Sequence, residues 1–389
     1  MKKGFINFNE TKIPFILDED YKLELFGEHH ILSEFSKKYN FKKDYILSGQ
    51  CINNGYMERE IILIVKYSIS NICHINGYAI ANNNKKLCFD EIIFSSKMIN
   101  DIFQFNYNAR QLSEKGVDLT KTLTTIYSDT FLINDNKYDF KYSIGARKLW
   151  PSPLDKMKIN GELSIFPIKS DILECGKICT LIERFIKFMC AYSNIIIDKI
   201  ILISNNFPVG HLYFNFKNKT DYYSDEIFFL ETTPQNYCSK ILNNLALNLS
   251  NDISVSIPLG HIRNNTNSQS PQRFIEQISS FEYIYAKLNP GEKSKRKQKS
   301  LEEKLKDCFD KYKNIIKLKT FSSKNNYPNL IKELRRQIIH GEKYYYEFKE
   351  YEEEYTYMII MDSLIEAMSL SYMGFTNTEI QKFRSPYFA

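Results

Sequence analysis

The chain has 389 residues, which is more than a single hydrophobic core usually supports, so its length predicts two domains. Its hydrophobic fraction of 43% is enough for ordinary folded cores, and its net charge of +6 is too small to indicate nucleic-acid binding by itself. The N-terminus has no signal-peptide pattern, the longest apolar stretch, Ile195–Ile203, is interrupted by charged residues, and the eight cysteines have no disulfide-like spacing. These features argue against membrane insertion, and we expect a soluble, cytoplasmic protein with no membrane partner.

Residues 1–262 contain many strand-like segments and a few helix-like ones. Glu60–Tyr67 has the length and the β-branched content of a buried strand. Three pairs of apolar segments flank turn clusters rich in Asn and Asp, which predicts three hairpins. The pairs are Gly77–Ala81 with Leu87–Phe94, Thr130–Ile133 with Lys137–Ile144, and Lys199–Ser204 with His211–Lys217. Together with helices predicted at Ile178–Tyr192 and Gln235–Leu249, they predict an α+β domain with several antiparallel strands.

The second predicted domain follows a polar, aperiodic segment at Arg263–Ser270, which we interpret as the linker. From residue 271 strand patterns are replaced by helical periodicity. A helix is predicted at Gln272–Ile284, a Lys/Glu-rich helix follows, Tyr327-Pro328 opens a third, and an apolar helix ends near Ser371. Residues 271–389 are therefore predicted to form an all-α helical bundle.

The stretch Leu334–Gly341 carries the strongest functional signal in the chain. On a helical wheel, apolar side chains at and around this stretch form one face. They are Leu330, Ile331, Leu334, Ile338 and Ile339. Arg335 falls inside this face, where a permanently charged guanidinium needs a partner or a purpose. Arg336 and His340 adjoin each other on the opposite flank, and Gly341 predicts that the helix ends beside His340.

The spacing from Arg335 to His340, with a leading Leu334 and a trailing Gly341, resembles the R-x4-6-H motif of HEPN ribonucleases. The order of helix-like segments over Pro271–Arg384 is similar to that of the HEPN domain in ApeA-type anti-phage proteins. The family usually has Asn, Asp or His directly after the motif arginine, whereas this chain has Arg336. The resemblance implies a HEPN nuclease domain at 271–389 that forms an obligate homodimer with a composite active site.

Arg335 and His340 are then the expected catalytic residues, with Arg336 in a supporting role. Cleavage of RNA needs a base for the 2′-hydroxyl proton, an acid for the leaving 5′-oxygen and a cation for the charge on the phosphorane. Histidine titrates near neutrality, and the planar fork of arginine fits phosphate oxygens. Because neither step requires a metal, we expect no metal and no other cofactor, and products that end in a 2′,3′-cyclic phosphate and a 5′-hydroxyl. On an ideal helix Arg335 and His340 are about 140° apart, so two chains that meet across a two-fold axis would bring them together.

A basic run near the motif is a candidate RNA-binding segment, because each neutralised phosphate releases counterions. Its cations are Lys293, Lys295, Arg296, Lys297 and Lys299. A solvated loop is the equally weighted alternative. Cys175 and Cys179 have a spacing that would place both thiols on one helix face, but no second pair completes a tetrahedral metal site. We interpret these thiols as packing residues.

The sequence thus predicts a metal-independent endoribonuclease of the HEPN superfamily that acts in anti-phage defence by abortive infection. Its RNA target is expected to have an exposed loop, such as a tRNA anticodon, and its N-terminal domain is expected to sense a phage-derived trigger or to restrain the nuclease. A catalytically inactive HEPN-like module that binds RNA or a partner remains an alternative. So does the toxin of a toxin–antitoxin pair silenced by nucleotide transfer to a tyrosine two residues after the histidine, although Glu342 occupies that position and the nearest tyrosine is Tyr344.

Overall fold

The computed structural model describes residues 1–53, 57–82, 87–104, 124–147, 158–167, 171–190, 195–216, 229–230, 237–247, 270–291, 299–316, 326–341 and 352–384. Contacts divide the chain into two units. The first comprises Met1–Glu183 and Ile195–Thr220, and the second comprises Arg184–Asn194 and Asp221–Ala389.

A closed six-stranded antiparallel barrel forms the start of the first unit. Its strands are β1 (Lys2–Phe8), β2 (Thr11–Leu17), β3 (Lys22–Leu25), β4 (Lys43–Asn53), β5 (Met57–Ile69) and β6 (Ile72–Ala81). The sheet closes because β3 pairs with β2 on one side and with β6 on the other. Buried and exposed side chains alternate along β1 and β2, as expected when one face of each strand lines the barrel interior.

Helix α1 (His29–Tyr39) supplies an aromatic side chain to the barrel core. Phe35 is fully buried among the interior side chains, and its ring centroid lies 5.4 Å from that of Phe8 in an edge-on arrangement. Burial of a phenylalanine side chain contributes about 1.5–3 kcal/mol, so α1 is fixed to the barrel by hydrophobic packing.

Beyond β6 the sheet continues through a hairpin that comes from much later in the chain. The strand order from β6 is β12 (Phe207–Phe214), β11 (Lys199–Ser204), β7 (Glu91–Ser95), β10 (Lys158–Phe166), β9 (Asn136–Arg147) and β8 (Thr124–Ile133). Helix α2 (Lys97–Gln104) follows β7. The predicted strand at Glu60–Tyr67 is confirmed as part of β5.

Two of the three predicted hairpins are confirmed. β8 and β9 are joined by Asn134-Asp135, and β11 and β12 by Asn205-Asn206, and all four turn residues have positive φ. Such two-residue turns match the right-handed twist of the strands, and Asn and Asp tolerate the left-handed backbone they require. In the second case the strand resumes at Phe207, earlier than the predicted His211.

The third predicted hairpin, Gly77–Ala81 with Leu87–Phe94, is wrong. β6 and β7 are not neighbours, because the β11–β12 hairpin lies between them. The turn residue Asn82 donates its backbone N–H to the carbonyl oxygen of Val209 at 2.8 Å, which ties it to β12 rather than to a partner strand close by in sequence.

The second unit is mainly helical, and one of its helices is strongly apolar. After α3 (Ile172–Cys190), which the division between the units crosses, come α4 (Cys238–Leu247), α5 (Pro271–Leu288), α6 (Leu301–Tyr312), α7 (Tyr327–Ile339), α8 (Glu352–Tyr372) and α9 (Asn377–Ile380). A short pairing joins β13 (Phe229–Leu230) to β14 (Phe383–Arg384). From Ile360 to Leu370 every side chain of α8 is buried, so this helix is the core of the unit. In the described part of the chain, no helix is both long and apolar enough to cross a membrane.

Local sequence signals account for several of the helix starts. Ser270 accepts a hydrogen bond from the backbone N–H of Arg273, and the side chains of Ser300 and Thr376 form capping boxes with Glu303 and Glu379. Each cap satisfies N–H groups that the helix itself leaves unpaired. The predicted helices at 178–192, 235–249 and 272–284 are confirmed, with observed bounds of Ile172–Cys190, Cys238–Leu247 and Pro271–Leu288.

The division into units does not coincide with the domain boundary predicted at residues 263–270. Helix α4, which the sequence prediction placed in the N-terminal domain, belongs to the second unit. The Lys240 ammonium lies 3.1 Å from the Glu379 carboxylate, and the Asn244 amide donates to the carbonyl oxygen of Met373 at 3.0 Å. These contacts hold α4 against the C-terminal segment, and they were hidden from the sequence because more than a hundred residues separate the partners. Of the predicted linker, only Ser270 lies among the described residues.

Candidate functional site

The motif residues lie on and just beyond helix α7, which begins as the sequence predicted with Tyr327-Pro328. Proline is tolerated in the first turn because its missing N–H has no partner within the helix. The helix ends at Ile339, His340 takes the C-cap position, and Gly341 follows with a φ of 71°. A glycine at this position adopts the left-handed conformation at little steric cost, so the predicted end beside His340 is confirmed.

The buried face of α7 is narrower than predicted. Tyr327, Pro328, Ile331 and Leu334 are buried, whereas Leu330 and Ile338 are half-buried. Ile339 was predicted to lie on the apolar face, but 55% of it is exposed. The buried residues are in the first turns of the helix, where the Tyr327 ring stacks on Phe309 of α6. Ile339 lies in the last turn, at the far edge of the predicted apolar face.

Arg335 lies at the margin of this buried stripe and has an acidic neighbour on another helix. Its Nη2 atom is 4.0 Å from Oε2 of Glu282 on α5. The other carboxylate oxygen of Glu282 accepts a hydrogen bond from Nζ of Lys304 on α6 at 2.8 Å. With 39% of its side chain exposed, the Arg335 guanidinium is within reach of solvent and of an anionic ligand.

His340 is exposed, and its backbone has φ −88° and ψ 4°. This is the sparsely populated bridge region, where many active-site residues are found. The backbone N–H of His340 donates to the carbonyl oxygen of Arg336 at 3.0 Å, which completes the last helical turn. Within the described ranges, no side chain forms a hydrogen bond or an ion pair with the imidazole.

Arg336 is also exposed, on the same flank as His340. Its Nε atom donates to Oε2 of Glu333 at 2.9 Å, one turn earlier on α7. This pair holds down the pKa of the Glu333 carboxyl, mainly through the hydrogen bond from Arg336. Within one chain α7 therefore presents Arg336 and His340 on one flank and Arg335 on another.

The predicted RNA-binding run can be placed only in part. Lys293, Lys295, Arg296 and Lys297 lie outside the described residues, as do Glu342 and Tyr344. The Lys299 ammonium is 2.5 Å from Oδ2 of Asp307, and this hydrogen bond lowers the pKa of Asp307. A phosphate that binds Lys299 would have to compete with this carboxylate.

The cysteine pair is placed in the core. Cys175 and Cys179 are buried on α3, and burial raises the pKa of both thiols well above the usual value. Neutral buried thiols are poor metal ligands, because the thiolate is the form that binds. Among the described residues, no group of three or more His, Cys, Asp or Glu side chains is arranged to hold a metal ion.

Sequence reasoning missed two acidic side chains that contact basic residues of α5 and α7. Glu282 is the neighbour of Arg335, and Asp362 of α8 forms a buried ion pair with Arg273 of α5 at 2.8 Å. The sequence does contain a signal for the second case. Arg273 and Gln277 are one turn apart beside the apolar residues Phe274 and Ile278, and polar side chains on such a stripe require a buried partner.

Residues 260–379 match the protein family described as Apea-like HEPN. The matched segment contains helices α5 to α8 and the whole of the Arg335–Gly341 stretch. No curated protein and no solved structure matches this chain.

Proposed function

From the Apea-like HEPN domain at residues 260–379, which makes this chain a HEPN-superfamily protein resembling ApeA, we propose a metal-independent endoribonuclease that acts in anti-phage defence. HEPN domains are generally ribonucleases that bind RNA and dimerise, and the Apea-like type suggests a nuclease with an anti-phage role. The observation that carries the proposal is that Arg335 and His340 of the motif are both accessible on a helix end within the matched segment.

His340 is the proposed proton-transfer group. With its ring exposed at the C-cap, it can approach a bound RNA without moving the helix. Its removal of the 2′-hydroxyl proton makes that oxygen attack the adjacent phosphorus, and the bond to the 5′-oxygen breaks as a proton is supplied to it. The nucleophile belongs to the RNA, so the step needs no activated water and no divalent ion.

Arg335 is the proposed stabiliser of the phosphorane. A guanidinium presents several N–H groups in one plane and remains charged, so it can follow the charge that builds up on the non-bridging oxygens. Arg336 lies on the His340 flank, and its proposed role is to position the RNA backbone. Two copies of the domain would bring Arg335 of one chain close to His340 of its partner. Ile339 is exposed at the end of the same helix, where the interface between the two copies would form.

The N-terminal unit is proposed to restrain the nuclease or to sense a phage-derived trigger, and the cytoplasm is the proposed compartment. The sequence of residues 1–262 contains no glycine-rich phosphate loop, no H-E-x-x-H motif and no nucleophile elbow.

The proposed substrate is an RNA with unstacked nucleotides, such as a tRNA anticodon loop, because such nucleotides reach the in-line geometry that a duplex forbids.

The decisive experiment is to identify the RNA ends made by the purified chain in excess EDTA. We expect 2′,3′-cyclic phosphate and 5′-hydroxyl ends, and no cleavage of DNA or of RNA with a single 2′-deoxy substitution at the cleaved position. Ends with a 5′-phosphate, or activity restored only by added magnesium, would refute the mechanism. Binding of RNA by wild type with no cleavage would favour the inactive-module alternative.

A further inference from the structure

We infer that Glu282 is a positioning residue that aims the Arg335 guanidinium at the scissile phosphate, an inference that rests on the proposed nuclease function. Glu282 lies on α5, far from the motif in sequence, yet its Oε2 atom is 4.0 Å from Nη2 of Arg335. Glu282 lies on a different helix from the motif residues, whereas Glu333, which pairs with Arg336, lies on α7 itself.

At 4.0 Å the two groups form an ion pair without a hydrogen bond, and its attraction draws one arm of the arginine toward α5. Arg335 has a long, flexible side chain, 39% exposed, and free rotation would move its donors away from any fixed target. A carboxylate on one nitrogen of the fork leaves the remaining N–H groups available, because the guanidinium has five donors. Glu282 is itself held by the 2.8 Å hydrogen bond from Lys304, whose ammonium lies 6.0 Å from the centroid of the Tyr285 ring.

The charges indicate that Glu282 serves orientation rather than RNA affinity. A carboxylate beside a phosphate-binding arginine repels the incoming phosphate, so its presence opposes binding. Lys304 offsets part of that negative charge. A residue that disfavours binding but fixes the geometry of a transition-state donor should affect the rate of the chemical step more than substrate affinity.

The chain offers a matched control in Glu302. Its carboxylate bridges two cations in the same bundle, Lys306 at 2.6 Å and Lys332 at 3.1 Å, and so links α6 to α7 without contacting a motif residue. Glu302→Gln and Glu282→Gln each remove one negative charge and one interhelical bridge to α7. A general effect of charge or bundle stability would therefore appear in both variants.

The experiment measures two quantities for full-length wild type, Glu282→Gln and Glu302→Gln. One is the single-turnover cleavage rate, and the other is the Kd for the same RNA made uncleavable by 2′-deoxy substitution. We expect Glu282→Gln to lower the rate about 10-fold or more with a Kd equal to or tighter than that of wild type. Glu302→Gln should stay within about 2-fold of wild type in both quantities. In an Arg335→Ala background, Glu282→Gln should cause no further loss, because its effect passes through that arginine.

A wild-type rate for Glu282→Gln, an equal loss in Glu302→Gln, or a loss matched by weaker binding would overturn the positioning role. So would a further loss in the Arg335→Ala background. These results are distinct from failure of the proposed function, in which wild type does not cleave RNA or His340→Ala cleaves as well as wild type. That failure would overturn both proposals.

Discussion

The two proposed catalytic side chains differ in how the surrounding fold holds them. His340 is exposed at a helix end, whereas Arg335 borders the buried stripe of α7 and lies beside Glu282 of α5. Loss of the first should therefore affect chemistry alone, and loss of the second should affect chemistry together with local packing.

His340→Ala is expected to abolish RNA cleavage and growth toxicity while the fold stays intact. The backbone at the C-cap is held by main-chain hydrogen bonds and by Gly341, neither of which depends on the imidazole. The measurements are RNA cleavage, colony formation on induction, and circular dichroism. Cleavage at the wild-type rate would rule out this site.

Arg335→Ala is expected to lower the cleavage rate at least about 100-fold, the loss found when one transition-state donor is removed. Light scattering must accompany the kinetics to detect a weakened dimer.

Arg336→Ala should lower the cleavage rate less than Arg335→Ala does, because the Arg336 guanidinium is on the flank where the RNA backbone is expected and is already paired with Glu333. If Arg336→Ala lost as much as Arg335→Ala, the two arginines would have to exchange roles.

The features of the site that could be predicted are those determined by residues close together in the sequence. The helix end at His340-Gly341 and the placement of Arg336 beside His340 are set within one or two helical turns, and the sequence predicted them. The Glu282 neighbour depends on how α5 packs beside α7, for which no local pattern exists. Ile339 was assigned to the core because periodicity indicates a face but not how much of that face another helix covers.

At the scale of elements, α5 and α8 are joined by a polar cluster in the core of the second unit. The side chains of Arg273 and Asp362 are 6% and 2% exposed, and Gln277 donates to Asp362 and, at 3.0 Å, to the carbonyl oxygen of Met358. A buried pair adds little net stability over apolar residues of similar volume, but the loss of one partner leaves an uncompensated charge.

Asp362→Ala is therefore expected to destabilise the second unit by about 3–5 kcal/mol. Urea unfolding of the full chain, followed by circular dichroism, measures this change. The matched control is Lys306→Ala, which breaks an exposed pair on α6 and should change the free energy of unfolding by less than about 1 kcal/mol. Equal effects of the two substitutions would contradict the structural role of the buried pair.

Glu379 links the α9 cap to α4 and makes this junction sensitive to acid. Hydrogen bonds from the Thr376 backbone N–H and from Lys240 lower the pKa of its carboxyl. A carboxyl whose pKa is depressed by folding stabilises the protein above its unfolded pKa, and this contribution disappears as the pH falls through the folded value. Tm should therefore fall more steeply below about pH 4.5 in wild type than in Glu379→Gln. Parallel Tm curves would show that the junction does not titrate.

At the scale of the whole molecule, the sequence predicted a strand-rich α+β part followed by a helical part, and both are confirmed. It did not predict that the first six strands close into a barrel. Closure depends on β3, only four residues long, which pairs with β6 far along the chain. Asn134-Asp135 and Asn82-Asn83-Asn84 are both turn-forming sequences, but only the first joins two strands that are neighbours in the sheet. The strand before the second, β6, pairs instead with β12 from far along the chain.

The insertion of the β11–β12 hairpin between β6 and β7 sets an order of events during synthesis. The six barrel strands are consecutive and can pair as soon as they leave the ribosome, but Gly77–Ala81 of β6 must wait for Gly210–Phe214. At ordinary translation speeds this wait lasts on the order of ten seconds. Throughout it, the edges of β6 and β7 that later pair with this hairpin expose unpaired backbone groups to other nascent chains, so the polypeptide is most open to edge-to-edge aggregation before β11 and β12 emerge.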